Sequence, residues 1–182
     1  KAIDACRSNN VVLAIGYHLR WHPGHRELQR QLINGAIGKL QHVRMIYSWP
    51  APNGSNWRAS DELGRWWALG ALGTHCLDLL RWFSDRPFSE VEERNAIIRG
   101  GVWKEDRDET AILSYKYKTG LTAEITTTVL FDAPPRFEFF GTEGFAVCDA
   151  TAGDFGTGTI EISGKPLRFE PASPFVGQIN DF

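Results

Sequence analysis

From Pro87 to Glu170 the chain alternates short β-branched or aromatic runs with tight turns, and that pattern restricts the fold more than any other feature. Candidate strands are Val91–Arg99, Thr110–Tyr117, Leu121–Leu130, Arg136–Phe140, Ala146–Asp149, Thr159–Ile162 and Leu167–Glu170. Lys118-Thr119-Gly120, Gly141-Thr142-Glu143-Gly144 and Ser163-Gly164-Lys165 read as hairpin turns between them. Successive strands joined this closely predict antiparallel pairing, because a parallel return needs a long crossover.

The first half reads differently. Ala2, Ile3, Ala5 and Cys6 form the apolar side of the tail of a helix within residues 1–10. The run from Val11 to Leu19 is predicted to be a buried strand. Pro23 opens a helix whose stripe is Leu28, Leu32 and Ile33, with Gly35 as its C-terminal cap. A strand follows from Leu40 to Trp49, then a long irregular connection over 50–70. A second helix is predicted from about Leu72 to Ser84, with Leu72, Cys76, Leu79, Leu80 and Phe83 at helical spacing. The expected class is α+β: a mostly antiparallel sheet with helices packed on one face.

A length of 182 residues suits one domain, or one domain with a piece of another. A chain that begins at Lys1, in the last turns of a helix, reads as lacking an N-terminal portion. A net charge of -2 without a basic run argues against nucleic-acid or anionic-membrane partners. No apolar stretch reaches membrane-spanning length. Cys6, Cys76 and Cys148 are scattered and odd in number, which fits a reducing cytoplasm better than a disulfide framework.

Three segments carry candidate chemistry. Gly73-Thr74-His75-Cys76-Leu77-Asp78 opens the second helix, and His75 and Asp78 share a helical face. A histidine there, beside a loop holding Trp57, Trp66 and Trp67, is placed to exchange a proton with a substrate hydroxyl. On spacing alone a structural histidine is the stronger reading. Tyr17-His18-Leu19-Arg20-Trp21-His22-Pro23-Gly24-His25 holds three histidines and an arginine. The absence of a closely spaced Cys or carboxylate argues against zinc, and His22 and His25 read as a solvated helix start. Arg20 suits a substrate hydroxyl, a cofactor phosphate or a structural carboxylate. Gly153-Asp154-Phe155-Gly156-Thr157-Gly158 lacks the third glycine and the strand–helix context of a dinucleotide fingerprint, so it reads as a loop.

In order, these segments resemble the C-terminal half of the Gfo/Idh/MocA oxidoreductases. The matching landmarks are Val11–Pro23, Leu32–Lys39, Gly73–Trp82, Asp108-Glu109-Thr110-Ala111 and Gly141–Gly144. The resemblance implies an open sheet, with one face carrying helices and the substrate site and the other forming a homo-oligomer. It makes residues 1–16 the end of an NAD(P)-binding Rossmann domain and 17–182 a substrate-binding and dimerisation domain. His75 is then the catalytic proton acceptor for a sugar or polyol substrate, and NAD or NADP the cofactor. Arg20 faces the active-site cleft, toward substrate or cofactor, and Trp57, Arg58 and Trp67 border the substrate. Many members carry an aspartate four residues before the histidine. Ala71 stands there in this chain, leaving Asp61 and Asp78 as substitute acids.

Overall fold

The computed structural model describes residues 1–55, 57, 60 and 65–182. Four α-helices are α1 (Ala2–Ser8), α2 (Pro23–Ile33), α3 (Thr74–Ser84) and α4 (Pro174–Asp181). The strands are β1 (Leu40–Ser48), β2 (Val91–Arg99), β3 (Thr110–Tyr117), β4 (Thr122–Thr128), β5 (Arg136–Gly141), β6 (Phe145–Asp149), β7 (Thr159–Ile162) and β8 (Lys165–Pro166). They form one sheet in the order β2-β3-β4-β1-β5-β6-β7-β8.

The sheet is mixed. The predicted hairpins pair antiparallel, but β1 enters the middle and runs parallel to β4 while pairing antiparallel with β5. The connection that allows the parallel neighbour holds α3, β2 and β3.

Alternation sorts the two faces of the sheet. Val43 and Met45 sit beside Ala123 and Ile125 on one side and beside Phe139 and Phe137 on the other. Phe137 lies opposite Cys148, and Cys148 opposite Ile160. All are buried in a single core with Leu28 of α2 and Cys76, Leu79, Leu80 and Phe83 of α3. The last four recur at i, i+3, i+4 and i+7, so α3 turns one apolar stripe onto the sheet. Each such side chain contributes about 1.5–3 kcal/mol by leaving water. Gly24 lets α2 approach closely, since a Cβ there would lie 2.6 Å from Ile160 Cδ1. The opposite face carries charge: Glu138 of β5 binds Arg44 across the neighbouring strand β1 and Arg136 two residues back on its own strand.

Two expectations are corrected, and one helix is added. Residues 11–17 form no strand; Val12 is 76% and Ile15 68% exposed. Their apolar pattern resembles that of a buried strand, but the sheet built from the described residues does not extend to them. The last strand is Lys165–Pro166 rather than Leu167–Glu170; Leu167 N–H still bonds Ile160 C=O, and the chain then leaves the sheet. Helix α4 was not anticipated, because Gly177 interrupts its apolar residues. That glycine is required by contact: a Cβ would lie 2.7 Å from the Trp21 ring.

Candidate active site

His75 lies in the first turn of α3, at the point where the chain leaves a π-type turn over Leu69–Gly73. The entry is fixed from a distance. The buried Asp108 carboxylate accepts from the Trp67 and Leu69 N–H groups, so the end of the long loop is tied to the start of β3. Burial pushes the Asp108 carboxyl up, against backbone N–H donors that favour its ionised form. On the other side, Tyr17 Oη and Thr74 Oγ1 share a 2.6 Å hydrogen bond.

The His75 ring is half-buried among aromatic rings. His18 stands at 5.2 Å, Tyr17 at 5.9 Å and Tyr47 at 6.3 Å between centroids. His75 Nδ1 is buried and has no hydrogen-bond partner among the described residues. Burial, aided by His18 and opposed by Asp78, lowers its pKa to about 4. The imidazole is therefore neutral at physiological pH, the state a proton acceptor needs.

Asp78 is one turn further along α3, and its carboxylate is engaged by Arg20 rather than hydrogen-bonded to the imidazole. It grips Arg20 in a two-point ion pair, Nε to Oδ2 at 2.7 Å and Nη2 to Oδ1 at 2.5 Å. Asp78 is buried and Arg20 partly exposed, so the fork holds the guanidinium at the protein surface. Both border a cleft of about 450 Å³ whose walls include Tyr17, Trp21, Arg81 and Gln178. His75 is not among the cleft's lining residues.

The aromatic loop divides. Trp57 is 64% exposed, whereas Trp67 is wholly buried beside Ala51, Ala68 and Val129. Trp67 is thus a packing residue and does not line the cleft, contrary to the substrate contact expected of it. Arg58 and Asp61 fall outside the described residues. The methyl of Ala71 places no acid beside His75.

His22 and His25 are fully buried, contrary to the solvated helix start expected of them. His22 Nδ1 accepts from the Gly24 and His25 N–H groups and caps α2, so Nε2–H donates to Thr157 C=O. His25 Nδ1–H donates to Leu19 C=O, and Nε2 accepts from Thr151 Oγ1. Each ring spends both nitrogens on structure. Among the described residues, no group of three or more His, Cys, Asp or Glu side chains is placed to hold a metal ion. Phe175, which stacks on His18 at 4.5 Å and 16°, was missed with α4; Ser173-Pro174, an N-cap residue and proline at N1, was the available signal.

Comparison with known proteins identifies the family of the domain. Residues 25–147 match the model of the GFO/IDH/MocA C-terminal domain. The chain is 24% identical over 176 residues to an uncharacterized oxidoreductase, YrbE, of Bacillus subtilis, covering 93% of this chain and 50% of that protein. It is 26% identical over 172 residues to levoglucosan dehydrogenase of Pseudarthrobacter phenanthrenivorans, covering 79% of this chain and 44% of the enzyme. Among solved structures, aldose-aldose oxidoreductase from Caulobacter crescentus, complexed with glycerol, superposes with a TM-score of 0.84 at 20% identity, over 98% of this chain and 54% of that one. A 3-ketoreductase from Actinomadura kijaniata, in complex with TDP-benzene and NADP, superposes with a TM-score of 0.76 at 19% identity, over 98% and 54%. The chain thus spans about half the length of the proteins it matches. The match over residues 25–147, more than half of the chain, places this chain in the Gfo/Idh/MocA family, through that family's C-terminal domain.

Proposed function

We propose that this chain is the substrate-binding domain of an NAD(P)-dependent oxidoreductase acting on a sugar or cyclitol, and that His75 is its proton-transfer residue. The observation that carries the reading is the neutral, half-buried His75 at the entry of α3, close to the Arg20–Asp78 cleft. Relatives that act on sugars support the substrate class.

In oxidation, His75 takes the proton of the substrate hydroxyl as the carbon–oxygen double bond forms. The hydride chemistry at the same carbon would be supplied by a bound nicotinamide. In reduction the proton returns from the imidazolium to the carbonyl oxygen. His75 Nε2 is the nitrogen for this work, since Nδ1 is turned into the protein. Arg20 is positioned by Asp78 to meet a substrate hydroxyl or a cofactor phosphate, and Arg81 on the same cleft fits an anionic group. Trp57, Arg58 and Asp78 complete the substrate surroundings in this reading.

The division expected from the sequence belongs to the same proposal: residues 1–16 close a nucleotide-binding domain and 17–182 form the substrate domain. The exposed Val12 and Ile15, on an unpaired segment beside the cleft, support it. The charged outer sheet face is then the homo-oligomer surface. A cytoplasmic location is part of the reading; no helix among the described residues is long and apolar enough to cross a membrane.

The test is NAD(P)H formation by a full-length protein containing this domain, against a panel of sugars and cyclitols. The proposal predicts turnover with at least one of them, and no turnover by this chain alone. A second reading, a sugar-binding or dimerisation module without catalysis, is favoured by Ala71, which stands where many members of the family carry an aspartate. It predicts sugar binding without NAD(P)H formation across the panel.

A further inference from the structure

His18 sits where it can control the chemistry of His75. It is 91% buried, being 9% exposed, in the 3-10 turn His18–Trp21, and Phe175 of α4 lies flat against one face at 16°. The His75 ring meets it edge-on at 78°, with centroids 5.2 Å apart. Each ring keeps one nitrogen buried without a partner among the described residues, Nε2 of His18 and Nδ1 of His75. Buried polar atoms rarely stay unpaired, so two such atoms on touching rings call for a common explanation.

A neutral imidazole carries one N–H and one lone pair. A 5.2 Å spacing suits two imidazoles joined edge to edge by one hydrogen bond of about 3 Å between nitrogens. The two nitrogens are unpaired among the described residues, so the pairing requires one ring to turn toward the other. If His18 Nε2 accepts, His75 carries its proton on Nδ1, and the outward Nε2 is left with a free lone pair. That is the tautomer a base requires. The opposite tautomer would present an N–H to the substrate hydroxyl and could not take its proton.

We infer that His18 is a positioning residue for His75: its Nε2 accepts from His75 Nδ1–H and holds the imidazole in the base-competent tautomer, with Phe175 fixing the plane of His18. The inference rests on His75 being the proton acceptor. It gives α4 a role, since the helix packs on the turn that carries His18.

Two measurements test it. The first is the tautomer of His75, read from long-range proton–nitrogen NMR correlations on this chain at neutral pH. The expected result is a proton on Nδ1, shifting toward Nε2 in His18→Phe, which keeps an aromatic ring against Phe175 but has no acceptor. His75 protonated on Nε2 in the unaltered chain would overturn the inference, as would a tautomer unchanged in His18→Phe. The second is steady-state turnover of the full-length protein. His18→Phe is expected to lower kcat about 10- to 100-fold, as loss of an orienting partner typically does, with KM changed less than about threefold. His18→Gln, whose amide oxygen can accept, should recover part of the loss. Wild-type kcat in His18→Phe, together with an inactive His75→Ala, would remove the role of His18 alone. Full activity in His75→Ala would remove the reading beneath it.

Discussion

Acid should unfold this domain through one buried ring, His25. The side chain is fully buried, donates to Leu19 C=O through Nδ1 and accepts from Thr151 Oγ1 through Nε2. A second proton would require the Thr151 hydroxyl to turn from donor to acceptor and would place a charge in a buried site. Burial, with His22 and His18 nearby, drives its pKa from 6.5 to about 3. The sign follows from the direction of that shift. In the unfolded chain His25 takes a proton below its ordinary pKa, whereas in the fold it does not until about pH 3. Stability contributed by the neutral ring is therefore complete above pH 6.5 and is lost progressively down to about pH 3. At about 1.4 kcal/mol per unit, moving from about pH 7.5 to about pH 4.5 removes about 3 kcal/mol through this group. His18, His22 and His75 shift the same way and add to the loss. The measurement is urea unfolding followed by tryptophan fluorescence at both pH values, in the wild type and in His25→Asn. The amide of Asn can still donate to Leu19 C=O but does not titrate. The variant should lose about 1–3 kcal/mol at the higher pH from its altered bonds, and its further loss on acidification should be about 3 kcal/mol smaller than in the wild type. An equal acid loss in both proteins would refute the argument. Because Leu19 adjoins Arg20, protonation of His25 also loosens the turn that holds the cleft arginine.

Other parts of the fold can be tested in the same way. Gly156 has φ +64 and lies where a Cβ would sit 2.1 Å from Ala172 C=O, whereas Gly35, at φ +82, meets nothing within 4 Å. Gly156→Ala should cost several kcal/mol and Gly35→Ala about 1 kcal/mol in chemical denaturation; equal costs would show that the contact at Gly156 does not matter. Glu109 accepts from the Val102, Trp103 and Lys104 N–H groups. Glu109→Gln should destabilise by about 1–3 kcal/mol and speed amide hydrogen exchange at those three residues; unchanged exchange would contradict the assignment. Asp78→Asn breaks the two-point grip on Arg20. Since Arg20 is partly exposed, stability should fall by only about 1 kcal/mol, while KM of the full-length enzyme for its sugar rises; an unchanged KM would remove Arg20 from the site.

The sequence shows some of these features and conceals others for physical reasons. Helix α3 was readable because Cys76, Leu79, Leu80 and Phe83 follow a 3.6-residue period, and β2 to β7 because β-branched runs end at short turns. The insertion of β1 between β4 and β5 was not readable, since nothing local in Leu40–Ser48 names strands that follow it by dozens of residues. Val11–Leu19 shows the limit of hydrophobic pattern: it registers a tendency to be covered but not what covers it. His22 and His25 looked solvated because their partners, Thr157 and Thr151, lie 135 and 126 residues away in the chain. His75 was legible at the start of its helix, together with Arg20 and Asp78, but the Arg20–Asp78 grip emerged only when Arg20 and α3 were brought together. The His18–His75 contact likewise joins residues from separate elements.

The central claim is that His75 moves the substrate proton. Its most direct test is steady-state NAD(P)H formation by the full-length protein on its best sugar substrate, comparing wild type with His75→Ala. The account predicts a fall in kcat of about 100-fold or more, as expected on losing a general base, with the protein still folded and still binding the sugar. A His75→Ala enzyme that turns over at the wild-type rate would contradict it.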